Sequence, residues 1–155
     1  MESARWATSA DLGELIRLAE AARVEVAGDK GGEMYLVRDA PRPPVDGWLT
    51  DVLAGGDGGA VLGEFAGVPF GLAVVRTEAL PDGSRLGVVD AIYVEEPARG
   101  VGVGEAMMEL VLQWCSAQGC RGVDSTVLPG NREGKNFFER FGLVARAIRV
   151  HRDLR

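Results

Sequence analysis

Residues 88–104 read Val88-Val89-Asp90-Ala91-Ile92-Tyr93-Val94-Glu95-Glu96-Pro97-Ala98-Arg99-Gly100-Val101-Gly102-Val103-Gly104. The β-branched run up to Val94 is a strand pattern, and it breaks at Pro97 because proline has no N–H to lend to a sheet ladder. Three glycines then alternate before Met107, Leu110, Val111, Trp114 and Cys115, which recur at helical steps of three and four. A strand, a glycine turn and an amphipathic helix therefore follow one another directly. The first N–H groups of such a helix have no carbonyl partner and carry partial positive charge. With side chains removed from the turn, those amides can approach a diphosphate closely, and Arg99 adds a planar fork of donors beside it. A glycine-rich connection that holds no ligand is the plainer reading of the same residues.

Upstream, Thr8-Ser9-Ala10-Asp11 has capping-box spacing, and Leu12, Leu15, Ile16, Ala19, Ala22 and Val26 follow at helical intervals, predicting a helix over 9–26. Residues 28–47, with Gly31-Gly32 and Pro41-Arg42-Pro43-Pro44, read as a long loop, and 45–53 as a short helix. The apolar stretch 60–65, the turn Ala66-Gly67, the strand 68–77, the turn Pro81-Asp82-Gly83-Ser84 and the strand 85–94 form three consecutive antiparallel strands. Downstream of the helix that ends near Gly119, 123–128 reads as a strand, 131–141 as a helix closed by Gly142, and 143–150 as a terminal strand. The order, counting an opening strand, is β-α-α-β-β-β-α-β-α-β. With no internal repeat and no separating linker, this predicts one α/β domain over 1–155 with a mixed sheet.

Composition narrows the function. The chain has 155 residues, 46% of them apolar, 17 basic against 23 acidic side chains and a net charge of −6. Residues 1–64 carry six basic and twelve acidic side chains, residues 65–130 four and eight, and residues 131–155 seven and three, so only the last part is basic. A nucleic-acid binder carries a broad positive field, which argues against nucleic acid as a partner. No apolar stretch is long enough to cross a bilayer, and Met1-Glu2-Ser3-Ala4-Arg5-Trp6 lacks a signal-peptide core, so no membrane and a cytoplasmic location are the expectation. Cys115, Cys120 and the single histidine His151 make neither a disulfide framework nor a metal-ligand cluster. Other phosphate motifs fit poorly. The glycines are spaced Gly-x-Gly-x-Gly rather than Gly-x-Gly-x-x-Gly, and Gly130-Asn131-Arg132-Glu133-Gly134-Lys135-Asn136 is one residue short of a P-loop, with Asn136 where Ser or Thr would bind magnesium.

Two motifs make the chain resemble the GNAT superfamily of acyl-CoA-dependent N-acyltransferases over essentially its full length. The stretch from Ile92 to Gly104 is similar to the family's strand, proline turn and pyrophosphate loop. Asn131-Arg132-Glu133-Gly134-Lys135-Asn136-Phe137-Phe138-Glu139-Arg140-Phe141-Gly142-Leu143 resembles its second signature, Asn-x-x-Ala-x-x-Phe-Tyr-x-x-x-Gly-Phe. The resemblance implies a mixed, mostly antiparallel sheet of about six to seven strands, splayed between strands four and five and flanked by about four helices. It implies acetyl-CoA as acyl donor, no metal, and direct attack by a primary amine of a small molecule or peptide in a ternary complex. It also admits a homodimer.

Carried onto this sequence, the resemblance implies that the backbone of Ile92, Tyr93 and Val94 meets the pantetheine arm, with an N–H at Tyr93 or Val94 polarising the thioester carbonyl. The amides of Gly100, Val101, Gly102, Val103, Gly104 and Glu105, with the Arg99 side chain, hold the pyrophosphate; Asn131 touches the pantetheine and Phe137 and Phe138 flank it. Core packing is the alternative for Phe137. Two positions depart from the pattern: Gly134 replaces an alanine, and Phe138 stands where the family has a tyrosine that protonates the leaving thiolate. A thiol of pKa about 8.5 can leave as thiolate without that acid. An alkylamine of pKa about 10.4 must lose a proton first, and Asp90, two residues from Ile92 and so expected on the same strand face, is the candidate base through water, with Glu95 and Glu96 as contenders. Glu33 and Tyr35, in the 28–47 loop, are candidates for the acceptor side. The missing tyrosine leaves a second class of function open, a catalytically weak acyl-CoA-binding or sensing domain.

Overall fold

The computed structural model describes residues 1–155. Five strands, β1 (Glu2–Trp6), β2 (Gly58–Phe65), β3 (Val68–Ala79), β4 (Arg85–Val94) and β5 (Gly122–Ser125), form one sheet in that order, antiparallel except for the parallel β4–β5 pair. The helices are α1 (Leu12–Ala27), a short α2 (Gly32–Met34) that widens into a π-helical turn over Tyr35–Asp39, α3 (Val45–Ala54), α4 (Val103–Ala117) and α5 (Arg132–Arg140). The α/β architecture with a mixed sheet is the one expected.

Local chemistry explains most boundaries. Asp11 accepts the Thr8 N–H at 2.8 Å, so the expected capping box opens the first helical turn. Ala66 and Gly67, with φ of +52° and +79°, make the tight β2–β3 turn, and Gly142, at +81°, ends α5. The run Gly71–Val75 is buried throughout because β3 lies mid-sheet with a layer on each face. On one face α1 and α3 pack Leu15, Leu18 and Leu49 against Leu62, Leu72 and Val74. On the other, α4 packs Val103, Met107 and Val111 against Val61, Ala73 and Val75. Gly63 and Gly71 let α4 sit this close: a Cβ at Gly63 would lie 2.6 Å from Val103 Cγ1, and one at Gly71 2.8 Å from Met107 Cε.

Three expectations differ in detail. The sheet holds five strands rather than six or seven, because residues 143–155 form no strand; a strand needs a neighbour, and none of these residues makes a backbone hydrogen bond to another segment beyond Leu143 N–H to Phe138 O at 3.0 Å. The supposed loop 28–47 contains helical turns over 32–39, since the apolar cluster Met34-Tyr35-Leu36-Val37 winds Tyr35 and Leu36 inward while Met34 and Val37 stay exposed. The strand expected over 123–128 stops at Ser125, and this early end matters for the site.

Candidate functional site

The β4–β5 ladder runs from Leu86–Gly122 to Val89–Ser125 and stops, while β4 continues to Val94. Ser125 Oγ marks the parting, donating to Val89 O at 3.0 Å. Beyond it one edge of β4 has no strand beside it. Glu95 N–H donates to Phe70 O on the β3 side at 2.8 Å, so by antiparallel alternation the backbone groups of Val94 and Ile92 face the opened edge, and those of Tyr93 face β3. Val94 O is met there by Arg99 Nε at 2.8 Å.

A cavity of about 470 Å³ fills the opening. Its walls include Ile92, Tyr93, Val94, Arg99, Gly100, Gly104, Glu105, Asn131, Phe137 and Phe138 at one end, and Asp90, Tyr35, Leu36, Trp48 and Ser125 at the other. The structure therefore brings together most of the residues singled out in the sequence. Val101, Gly102 and Val103 do not line it. Val103 points into the core, and Gly100 and Gly102, with φ of +84° and +93°, bend the chain so that α4 starts against the cavity. Ala106 N–H is the first to reach a carbonyl across this start, Gly102 O at 3.0 Å, which leaves the amides of Val103, Gly104 and Glu105 ahead of the ladder. Gly104 is small for a second reason, since a Cβ there would come within 3.1 Å of the Phe137 ring.

Arg99 is held rather than free. Besides Val94 O it contacts Glu25 Oε1 at 2.7 Å and lies over the Tyr93 ring at 5.7 Å. Its pKa is raised: burial opposes the charge, but the hydrogen bond to Glu25 and the charges of Glu25, Tyr93 and Glu133 together outweigh it. Asn131 caps α5, its Oδ1 accepting the Gly134 N–H at 2.9 Å, while its Nδ2 donates to no protein group. A Cβ at Gly134 would lie 2.6 Å from that Nδ2, so the glycine is what permits this Asn131 rotamer. Phe138 is buried, edge-on to Phe137 with centroids 5.6 Å apart.

Asp90 occupies an irregular position. Val74 pairs with Ala91 and the next residue, Val75, with Val89, so Asp90 is the extra residue of a β-bulge. The bulge reverses the alternation: Ala91 and Tyr93 pack on the α1 side and Ile92 and Val94 on the α4 side. The shared face expected for Asp90 and Ile92 is therefore not present, because period-2 counting fails across a bulge. Asp90 accepts from Arg76 Nε at 2.8 Å, and its side chain is 21% exposed. Burial raises its pKa above the ordinary carboxylate range despite Arg76. Burial also raises Tyr35, and the charges of Asp90 and Asp39 add to that rise. Glu33 lies outside the cavity, an exposed side chain 3.3 Å from Arg155. Glu95 is tied to Arg17 at 2.9 Å. Sequence reasoning missed Arg76 as the partner of Asp90 and Trp48 as a cavity wall; no motif marks either, because both arrive through the sheet register and the packing of α3.

Comparison with known proteins gives the family and the fold. The sequence model described as the Acetyltransferase (GNAT) family matches residues 19–143. The chain belongs to the GNAT acetyltransferase family. No curated protein matches it. Among solved structures it is similar to a mutant of the BH1408 protein from Bacillus halodurans, at 16% identity and a TM-score of 0.80, over 97% of this chain and 98% of that one. It is also similar to AAC(6')-Iy in complex with the bisubstrate analogue CoA-S-monomethyl-acetylneamine, at 18% identity and a TM-score of 0.74, over 100% and 99%. A third is ribosomal-protein-alanine N-acetyltransferase from Brucella melitensis biovar Abortus 2308, at 17% identity and a TM-score of 0.70, over 99% and 98%. At these identities the likeness is one of fold. No helix of the chain is long and apolar enough to cross a membrane.

Proposed function

We propose that the chain is an acetyl-CoA-dependent N-acetyltransferase that moves the acetyl group to a primary amine of a small molecule or peptide by direct attack. The observation that carries this is the single cleft that joins the opened edge of β4, the free amides at the start of α4 and the half-buried carboxylate of Asp90. The donor set suits coenzyme A. Three consecutive amides and Arg99 match a diphosphate, the outward groups of Ile92 and Val94 match the amides of an extended arm, and Nδ2 of Asn131 is an unspent donor. Bound acetyl-CoA supplies the thioester that the amine attacks; no metal is required. The solved AAC(6')-Iy complex with CoA is consistent with this use of the fold.

In this reading the Val94 N–H, aimed at the cleft, stabilises the oxygen that gains charge during attack. Asp90 takes the amine proton through water; its raised pKa makes it a stronger base than an exposed aspartate, while Arg76 fixes its orientation. Tyr35, Leu36 and Trp48 give the acceptor end apolar walls beside Asp90, with Arg23 and Asp29 also on the lining, which suits an amine carried on an apolar or aromatic body.

One feature favours a second reading, an acyl-CoA-binding or sensing domain: Phe138 offers no proton to a leaving thiolate. Free-thiol release from acetyl-CoA with a panel of amines separates the two. A transferase releases thiol only with an accepting amine, and turnover falls with Asp90→Asn; a sensor binds coenzyme A and releases nothing above background. If calorimetry detects no binding of coenzyme A, both readings fail.

A further inference from the structure

Three cations stand on the wall of the cleft, Arg23, Arg99 and Arg140. Arg99 is tied to Glu25 and Arg140 to Glu105, each at 2.7 Å. Arg23 alone of the three has no carboxylate oxygen within 4.0 Å, and its one hydrogen bond, to Pro41 O, is a long 3.5 Å. A guanidinium carries several N–H donors in a fixed fork and keeps its charge at any working pH. A half-buried one that spends so little on the protein is open to an anion in the cleft.

Its place makes that anion part of the acceptor. Arg23 shares a face of α1 with Ala19 and Val26, one helical turn away on either side, and all three line the cleft. The charges of Arg23 and Asp90 both act on the Tyr35 hydroxyl, in opposite senses, so the cation and the candidate base flank one phenol. Asp39 also acts there but is spent on Arg38 and Arg149. Asp29 lines the cleft too, yet it is not among the charges felt at Tyr35, which sets it farther along the wall. Between the two charged groups the walls are apolar, Leu36 and Trp48.

This arrangement selects a substrate. A polycation would set like charge against Arg23, and a neutral amine would leave that fork unanswered. An amine whose body ends in an anion answers both groups, and a single free cation matches the single charge of a carboxylate better than a phosphate dianion. Resting on the transferase reading above, we propose that the acceptor belongs to the class of the amino acids: a primary amine that carries a carboxylate on an apolar or aromatic body, with Arg23 holding the carboxylate. The amine nitrogen bonds to the acetyl carbon in place of the thioester sulfur, which departs with the bonding electrons, and the amine proton passes to Asp90 through water.

Free-thiol release from acetyl-CoA tests this with phenylalanine, leucine and β-phenylalanine, with the carboxamide of each, and with spermidine. The expected result is a kcat/KM about tenfold or more higher for the best acid than for its own amide. Arg23→Gln, with the circular dichroism spectrum kept, removes the preference by raising the KM for the acid. Arg23→Lys keeps the charge without the planar fork and retains part of the preference. Should Arg23→Gln misfold, the partial loss in Arg23→Lys carries the test. The proposal is overturned while the transferase reading stands if an amide or spermidine is the better acceptor, or if the preference for an acid survives intact in the Arg23 variants. If no amine releases thiol, the transferase reading fails, and calorimetry of N-acetylphenylalanine and its amide on the protein saturated with coenzyme A decides the carboxylate site. Tighter binding of the acid that depends on Arg23 upholds that site, and equal or absent binding overturns it.

Discussion

Gly63→Ala places a methyl carbon 2.6 Å from Val103 Cγ1 and 2.9 Å from both Cγ and Sδ of Met107. Ordinary carbon contacts are about 3.5–4.0 Å, so roughly 1 Å of room is missing. Met107 can turn away, but Val103 is β-branched and stiff, so the start of α4 must move off the sheet. Overpacking of this kind costs about 1–3 kcal/mol, and the less flexible unfolded chain of alanine returns about 0.4–1 kcal/mol, leaving a loss of about 1–2 kcal/mol. For a domain of this length that corresponds to a fall in Tm of about 2–8 °C. Gly63 does not line the cleft, yet Val103 is the first residue of α4, so the displaced amides should weaken coenzyme A binding several-fold well below the melting temperature. Thermal unfolding by circular dichroism and calorimetry with coenzyme A read the two effects. In a double-mutant cycle, Val103→Ala should cost less in the Gly63→Ala background than in the wild type, because the struck atom is gone. A Tm unchanged or raised, with no coupling to Val103, would refute the packing argument.

Asp90→Asn should make the protein more stable at pH 7 while slowing transfer. A carboxylate whose folded pKa is raised costs stability once pH exceeds its unfolded value, so the gain should vanish as pH falls below about 4; a loss of stability at neutral pH would assign Asp90 to the Arg76 ion pair alone. Glu25→Gln removes an anion that competes for Arg99; an exposed pair of this type is worth about 0.2–1 kcal/mol, so coenzyme A affinity should rise up to about fivefold at low salt and less at high salt, by calorimetry. Burial and neighbouring Cys120 push the Cys115 thiol up to about 11, so at pH 8 iodoacetamide should label the half-buried Cys120 first, as mass spectrometry of a partial digest would show.

What the sequence disclosed and what it withheld follow from one distinction. The glycine turn, the capping box and the Gly142 stop are local, since each acts within a few residues through φ, caps and period, and each lies where the sequence placed it. The cleft residues Ile92, Tyr93, Val94, Arg99, Gly100, Gly104, Glu105, Asn131, Phe137 and Phe138 are legible for the same reason, while Val101, Gly102 and Val103 of the same turn lie off the cleft. The register between β3 and β4 is not local. The bulge at Asp90 depends on Val74 and Val75 choosing partners across the sheet, and nothing in Val88-Val89-Asp90-Ala91 announces it. The helical turns over 32–39 escaped because Gly31-Gly32 and the prolines at 41, 43 and 44 that bracket them resemble loop punctuation while Tyr35 is held by distant walls.

The same distinction bears on Phe138. Replacing a tyrosine by phenylalanine reads in the sequence as a lost acid, but the ring lies buried and edge-on to Phe137, which in turn stands against Gly104 at the start of α4. The ring therefore has a packing role that does not need the hydroxyl. Phe138→Tyr inserts an oxygen beside this apolar stack. If the chemistry here still lacks an acid, the variant should raise turnover with little change in the KM for acetyl-CoA. If the enzyme instead releases the thiolate unaided, the hydroxyl must be desolvated with nothing to donate to, and stability and turnover should both fall. Thiol release measured as a function of pH separates the cases, since an added acid acts only below its own pKa and an unaided departure gains nothing there.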